Sequence, residues 1–143
     1  MSHSLKLLTQ IAAGFARQFG NDCEIVIHDL TVENLEHSIV YIENGHVTSR
    51  QVGGGPSKVV LEAAEMAKTH PETLKDHLGY LTKTSDGRIL KSSTLYIRDE
   101  NGAVHYLLSV NYDITGLVSL DQAVKSLVYT EPEAKDRQPE QIV

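Results

Sequence analysis

The sequence predicts an α+β domain whose elements run helix, two strands, helical segment, three strands, helix. Three observations predict it. Apolar residues recur at helical spacing near both ends, at Leu8, Ile11, Phe15 and Phe19 and again at Leu117, Leu120, Val124 and Leu127. The stretches between are rich in β-branched residues. Asn44-Gly45, Asp86-Gly87 and Asn101-Gly102 punctuate them as tight-turn dipeptides. A chain of 143 residues fits one domain and can bury a core without disulfides or metal.

The first helix is expected within residues 1–20, with Leu8, Ile11, Ala12, Phe15 and Phe19 on one face and Gly20 as its stop. That face must cover the domain or a second subunit. Leu8, Ile11, Phe15 and Phe19 are the candidate dimer contact. Strands follow at Cys23–His28 and Ser38–Glu43. Thr48–Ser57 carries Gly53-Gly54-Gly55-Pro56 and reads as a loop. Pro56 or Ser57 opens a helix to about Lys68, with Val59, Val60, Ala63 and Ala67 on its apolar face. His70-Pro71 breaks it, and Pro71–Asp76 can add a short helical turn.

Strands at Tyr80–Thr84, Ile89–Arg98 and Ala103–Tyr112 are joined by two Gly-containing turns, which predicts an antiparallel meander. In the last, alternation puts Val104, Tyr106, Leu108, Val110 and Tyr112 on one face. The final helix starts near Asp113 or Thr115, either of which can cap it. Leu117, Leu120, Val124 and Leu127 form a coiled-coil-like seam, or the buried stripe of a helix lying on its own sheet. After Tyr129 the chain is polar and rich in Pro and Glu, as in a disordered tail or linker over 130–143.

Hydrophobic residues make up 41% and charged residues 22%, as in soluble globular proteins. No apolar run approaches the roughly 20 residues a bilayer requires, and no basic-then-apolar leader opens the chain. Cys23, the single cysteine, lies in an apolar run and suits a buried thiol in a reducing compartment. The expected location is cytoplasmic, without a membrane partner. The formal net charge is -6 and the basic residues are scattered singly, so this segment is not expected to touch nucleic acid directly. His28, His37, His46, His70, His77 and His105 show no short ligand pair, and no metal site is expected. No nucleophile elbow, acid/base carboxylate pair or Ser/His/Asp signature appears, which argues against an enzyme.

Two segments carry possible binding chemistry. Gly53-Gly54-Gly55-Pro56-Ser57-Lys58 precedes a helix, where free N–H groups could hold an anion, with Gly53, Gly54, Gly55 and Ser57 as its residues. It is neither the P-loop nor the dinucleotide fingerprint, and a flexible loop before a proline-started helix is the favoured reading. Lys91-Ser92-Ser93-Thr94 is polar inside an apolar strand. In one register Lys91 and Ser93 face inward and can meet an anionic ligand; in the other Ser92 and Thr94 point inward. A cross-strand hydroxyl ladder is the third possibility.

Several blocks together resemble the YheO-like PAS family. They are His28-Asp29-Leu30, Ser38-Ile39-Val40, Asn44-Gly45-His46-Val47-Thr48-Ser49-Arg50 and Val52-Gly53, then Leu90-Lys91-Ser92-Ser93-Thr94, Ile97-Arg98-Asp99 and Asn111-Tyr112-Asp113-Ile114-Thr115. The resemblance runs from about Asn21 to Thr115, and its blocks keep their order. It implies a PAS fold: a five-stranded antiparallel sheet with helices over one face, here with flanking helices at both ends. It implies a sensor domain over 21–115, a signalling helix over 116–129, and a C-terminal helix-turn-helix domain in family members. This chain would then be cut at the linker, or a stand-alone sensor. Haem and flavin are not implied, and no cofactor is assigned.

On this reading a small molecule binds between sheet and helical segment, with Arg50, Lys91, Ser92, Ser93, Asn111 and Ser38 as candidate contacts. Asp113, Thr115, Leu117, Leu120, Val124 and Leu127 would relay the signal, and the chain would be a homodimer. A ligand-free dimerisation module is the alternative, and a small enzyme using Lys91 or Arg50 a third class. Two departures from the family pattern bear on this. Gly54-Gly55-Pro56-Ser57-Lys58 replaces a more acidic, threonine-bearing stretch, and Tyr106 stands where glycine is common, which would shrink or fill a pocket.

Overall fold

The computed structural model describes residues 2–54, 57–132 and 139–142. Gly55, Pro56 and residues 133–138 and 143 of the expected tail lie outside the described residues.

Helix α1, His3–Phe19, starts where Ser2 Oγ accepts the Leu5 N–H at 3.1 Å. It ends at Gly20, whose φ of 87° suits a residue without Cβ. Strands β1 (Cys23–Asp29) and β2 (Ile39–Glu43) follow, then α2 (Lys58–Thr69). The chain continues through β3 (His77–Lys83), β4 (Ile89–Arg98) and β5 (Val104–Asp113) to α3 (Thr115–Val128). The five strands form one sheet in the order β2-β1-β5-β4-β3, and every neighbouring pair is antiparallel. The first and last strands of the chain thus meet at its centre.

The sheet has two different faces. On one, Cys23, Ile25 and Ile27 of β1 and Tyr106 of β5 are buried beneath Ala12 and Ala16 of α1, with Leu5 and Leu8 beside them. The two alanines let the helix backbone approach closely. Each fully buried Ile there contributes about 1.5–3 kcal/mol. On the other face α2 buries Val60, Ala63 and Ala64 against Leu30, Val104 and Leu107. Cys23 is buried as expected, and burial, then the neighbouring Glu24, push its thiol pKa up.

Four expectations change in detail. Asn44-Gly45 does not close a hairpin: Asn44 is left-handed (φ 54°) and opens a single helical turn over Gly45–Val47. Val104 packs on the α2 side, away from Tyr106, because the pairing slips between Ile97 and Arg98 and breaks the period of two. Leu8 packs on its own sheet, whereas Leu7, Ile11, Phe15 and Phe19 form the open row of α1. Val59 is exposed, and Ala64 joins the buried face of α2 in its place. The seam helix α3 has no buried residue, so it does not lie on the sheet. Among the described residues no helix is long and apolar enough to cross a membrane.

Candidate functional site

The α2-facing side of the sheet carries polar side chains where the other side carries a conventional apolar core. Glu24 sits on β1 between the apolar neighbours Cys23 and Ile25 and is fully buried. Its Oε2 accepts from the backbone N–H of Thr48 at 3.0 Å and the Thr48 hydroxyl at 2.6 Å. Its Oε1 accepts from Asn111 Nδ2 at 2.9 Å. Asn111 stands opposite both Glu24 and Ser92, because β5 pairs with β1 on one side and β4 on the other. Ser92 Oγ donates to Asn111 Oδ1 at 2.8 Å, so Thr82 Oγ1, 2.7 Å away, must be the donor to Ser92. The result is a directional hydrogen-bond chain from β3 through β4 and β5 to Glu24 and the Thr48 loop. A carboxylate can be buried there because its oxygens are satisfied by three donors.

Above this chain lies a half-open cavity of about 490 Å³, within the range of small-molecule sites. Hydroxyls dominate its wall: Ser49 and Ser57 on the loop side, Thr82, Thr94 and Ser109 on the sheet. Ser57 also caps α2, accepting the Val60 N–H at 3.4 Å. Arg50 and Asn111 line the cavity too. The Arg50 loop is held by its own N–H bonding Gly45 O at 2.9 Å, and a Cβ on Gly45 would lie 2.2 Å from Arg50 O. Only glycine fits there. Arg50 also borders a second shallow depression over His46, Gln51 and Gly54.

Arg88 ties the cavity to the end of the sheet. Its Nη2 donates to Val47 O at 2.7 Å, its Nη1 pairs with Asp113 at 3.3 Å and its Nε with Asp86 at 3.2 Å. Asp113 in turn accepts from the Thr115 N–H at 3.0 Å and the Thr115 hydroxyl at 2.6 Å. The Thr115 hydroxyl oxygen accepts the Ile89 N–H at 2.9 Å. The Thr115 hydroxyl and then its backbone N–H are the main bonds holding the Asp113 carboxyl below its ordinary pKa, with Arg88 adding to them.

His28 is buried beneath the same face, with Nδ1 2.8 Å from Ser38 Oγ. Burial, and then the positive charge of Arg50, push its pKa down to about 4. Its Nε2 has no hydrogen-bond partner among the described residues.

The residues singled out from sequence divide accordingly. Arg50, Asn111 and Ser57 line the cavity, and Ser92 lies beneath it in the hydrogen-bond chain. Ser38 is the partner of His28, away from the cavity wall. Lys91 and Ser93 stand on the opposite face of β4, where Ser93 Oγ accepts the Gly79 N–H at 2.9 Å. The register with Ser92 and Thr94 inward is the one adopted, since Thr94 bonds the Tyr80 hydroxyl. Gly53 (φ 80°) bonds Ile39 O at 2.9 Å, and Gly54 borders only the second depression. Tyr106 does not fill the cavity: it points to the α1 side and its hydroxyl lies 3.0 Å from Ser2 Oγ. Glu24, Thr48, Thr82 and Arg88 were not anticipated. A carboxylate inside an otherwise apolar strand run was the one available signal, for Glu24.

A family model described as YheO-like PAS domain matches residues 1–129. The chain belongs to that family. The family match takes in both flanking helices. An uncharacterized protein of Haemophilus influenzae is 31% identical over 121 residues, covering 85% of this chain and 51% of that protein. The uncharacterized YheO protein of Escherichia coli K12 is 31% identical over 111 residues, covering 77% of this chain and 44% of that one. The chain therefore spans about half the length of these relatives. Similar solved structures include the dark state of the blue-light photoreceptor Aureochrome1 LOV domain, with TM-score 0.43 and 18% identity over 87% of this chain and 96% of that one. The PAS domain of the fruit-fly ELK potassium channel gives TM-score 0.40 and 20% identity over 72% of this chain and 96% of that one. The family is one of sensory and regulatory modules.

Proposed function

We propose that this domain binds a small molecule in the hydroxyl-lined cavity and relays its presence through α3 to a DNA-binding domain of a longer regulator. It does so by binding, not turnover, and without touching nucleic acid itself. The observation that carries the reading is the cavity whose wall residue Arg88 also holds Asp113 at the start of α3. A ligand that prefers one position of Arg88 biases the β5–α3 junction by its differential affinity for the two states. The exposed Leu117, Leu120, Val124 and Leu127 then pass that bias along a helix the sheet leaves free. The open row Leu7, Ile11, Phe15 and Phe19 supports a homodimer, since α1 presents it outward while its alanine side is buried. The resemblance to a family of cytoplasmic helix-turn-helix regulators supports the output.

Native mass spectrometry tests occupancy and assembly together. The expected spectrum is a dimer carrying a co-purified molecule, and Phe15→Asp is expected to be monomeric. An empty dimer favours a ligand-free dimerisation module. A Phe15→Asp chain that stays dimeric removes α1 from the interface.

The relay is read separately. In a full-length family regulator carrying this domain, Leu120→Asp is expected to leave ligand binding intact and abolish its effect on operator affinity. Unchanged coupling would sink the α3 relay.

A further inference from the structure

The chain has a formal net charge of -6, yet the cavity above the hydrogen-bond chain is walled by cations. Arg50, Lys83 and Arg88 line it against a single acidic residue, Asp86. Asp86 is engaged by Arg88, which also takes Asp113. Arg88 is therefore neutralised within the protein. Arg50 and Lys83 are not: among the described residues neither side chain has an ion pair or hydrogen bond. As a residue Arg50 is only partly exposed, and it forms part of the cavity wall. A guanidinium in a cavity wall with no acceptor of its own is one that a planar anion can engage by two parallel hydrogen bonds.

The sheet side of the cavity asks for something different. Ser92 spends its hydrogen on Asn111 and Thr82 spends its own on Ser92. What Thr82 turns to the cavity is therefore lone pairs, an acceptor seeking a donor. Ser49 and Ser57 stand on the Arg50 side of the same wall, where hydroxyl hydrogens can supplement the guanidinium.

From this polarity we infer that the cavity takes a small organic carboxylate that also carries a hydrogen-bond donor such as a hydroxyl. The carboxylate pairs with Arg50, and the donor end reaches Thr82. This rests on the sensor reading above and adds the ligand's charge and polarity to it.

Matched acids and polyols test it: gluconate against sorbitol and glycerate against glycerol, with propionate as a carboxylate without a donor. Calorimetric titration and thermal midpoints at constant ionic strength, with millimolar probe, are the readouts. At least one hydroxy acid is expected to bind and raise the midpoint, its polyol partner and propionate to bind markedly more weakly. Arg50→Gln is expected to weaken the acid about tenfold or more, the worth of one charge-assisted pair. Thr82→Val is expected to weaken the hydroxy acid towards the level of propionate. Polyols binding as well as their acids, acids binding Arg50→Gln as tightly as the original chain, or no acid binding at all would each overturn the carboxylate assignment. The mass measurement reads occupancy without regard to charge. A chain carrying a neutral molecule would thus overturn this inference while leaving the sensor standing, whereas a chain that binds neither class brings down both.

Discussion

Glu24→Ala is expected to lower the unfolding free energy by about 3–5 kcal/mol, since hydrogen bonds to a charged group contribute about 1.5–3 each and stranded buried donors cost about 1–3 more. The carboxylate accepts three hydrogen bonds, two from Thr48 and one from Asn111, at a position with no solvent exposure. Removing it strands the Asn111 amide in the sheet and the Thr48 N–H beside it. Water entering the new space can rescue part of the loss, which keeps the figure below a simple sum. Glu24→Gln is expected to cost less, because one oxygen remains, but its NH2 then faces a donor. Urea unfolding checks the order Ala > Gln > unchanged. A loss below about 1 kcal/mol for Ala, the worth of one ordinary hydrogen bond, would contradict the buried three-donor arrangement. The same variant frees the Thr48–Arg50 loop from the sheet, so ligand affinity should fall with stability.

Between pH 6.5 and about 4 the domain is expected to lose about 3 kcal/mol through His28 alone, at 1.36 kcal/mol per pKa unit. The folded pKa is depressed to about 4 from an ordinary 6.5. In that window the unfolded chain binds a proton that the folded chain refuses, so stability rises with pH across it. The contribution is fully present above the ordinary value and is lost as pH falls through the folded one. The cause is desolvation first, then the charge of Arg50, with Ser38 as the one hydrogen-bond partner among the described residues. Unfolding free energies measured at half-unit pH steps show the slope, and His28→Gln removes it. If the variant and the original chain lose stability in parallel across the window, His28 titrates normally and is not buried neutral.

Both effects originate on the face of the sheet that alternation alone left ambiguous. The element order, the strand span Ile89–Arg98, the Gly20 stop of α1 and the three-strand meander were legible, because each depends on local signals: apolar period, turn dipeptides, and a residue free to take positive φ. The polar run Ser92-Ser93-Thr94 was legible as unusual but not as oriented. Period two allows either register, and the choice was made by Asn111 and Thr82 on neighbouring strands, which bond Ser92 and leave Lys91 and Ser93 outside. Arg88 was invisible as a hub for a similar reason. It follows a turn like any surface arginine, and its partners Val47 and Asp113 are 41 and 25 residues away in sequence.

The sequence by itself determined the class of fold, the family, and the presence of an apolar row on α1 and another on α3. These follow from spacing along one chain, which physics reads within a few turns of helix or one pair of strands. Only the tertiary structure decided which polar residues share a cavity, which arginine is neutralised and which is left bare, and that Tyr106 leaves the cavity open. Those outcomes depend on pairing β1 with β5 at the centre of the sheet, so that Glu24 meets Asn111 across 87 residues. Hydrogen bonding and charge pairing act over a few ångströms in space, and sequence distance carries almost no information about which groups come that close.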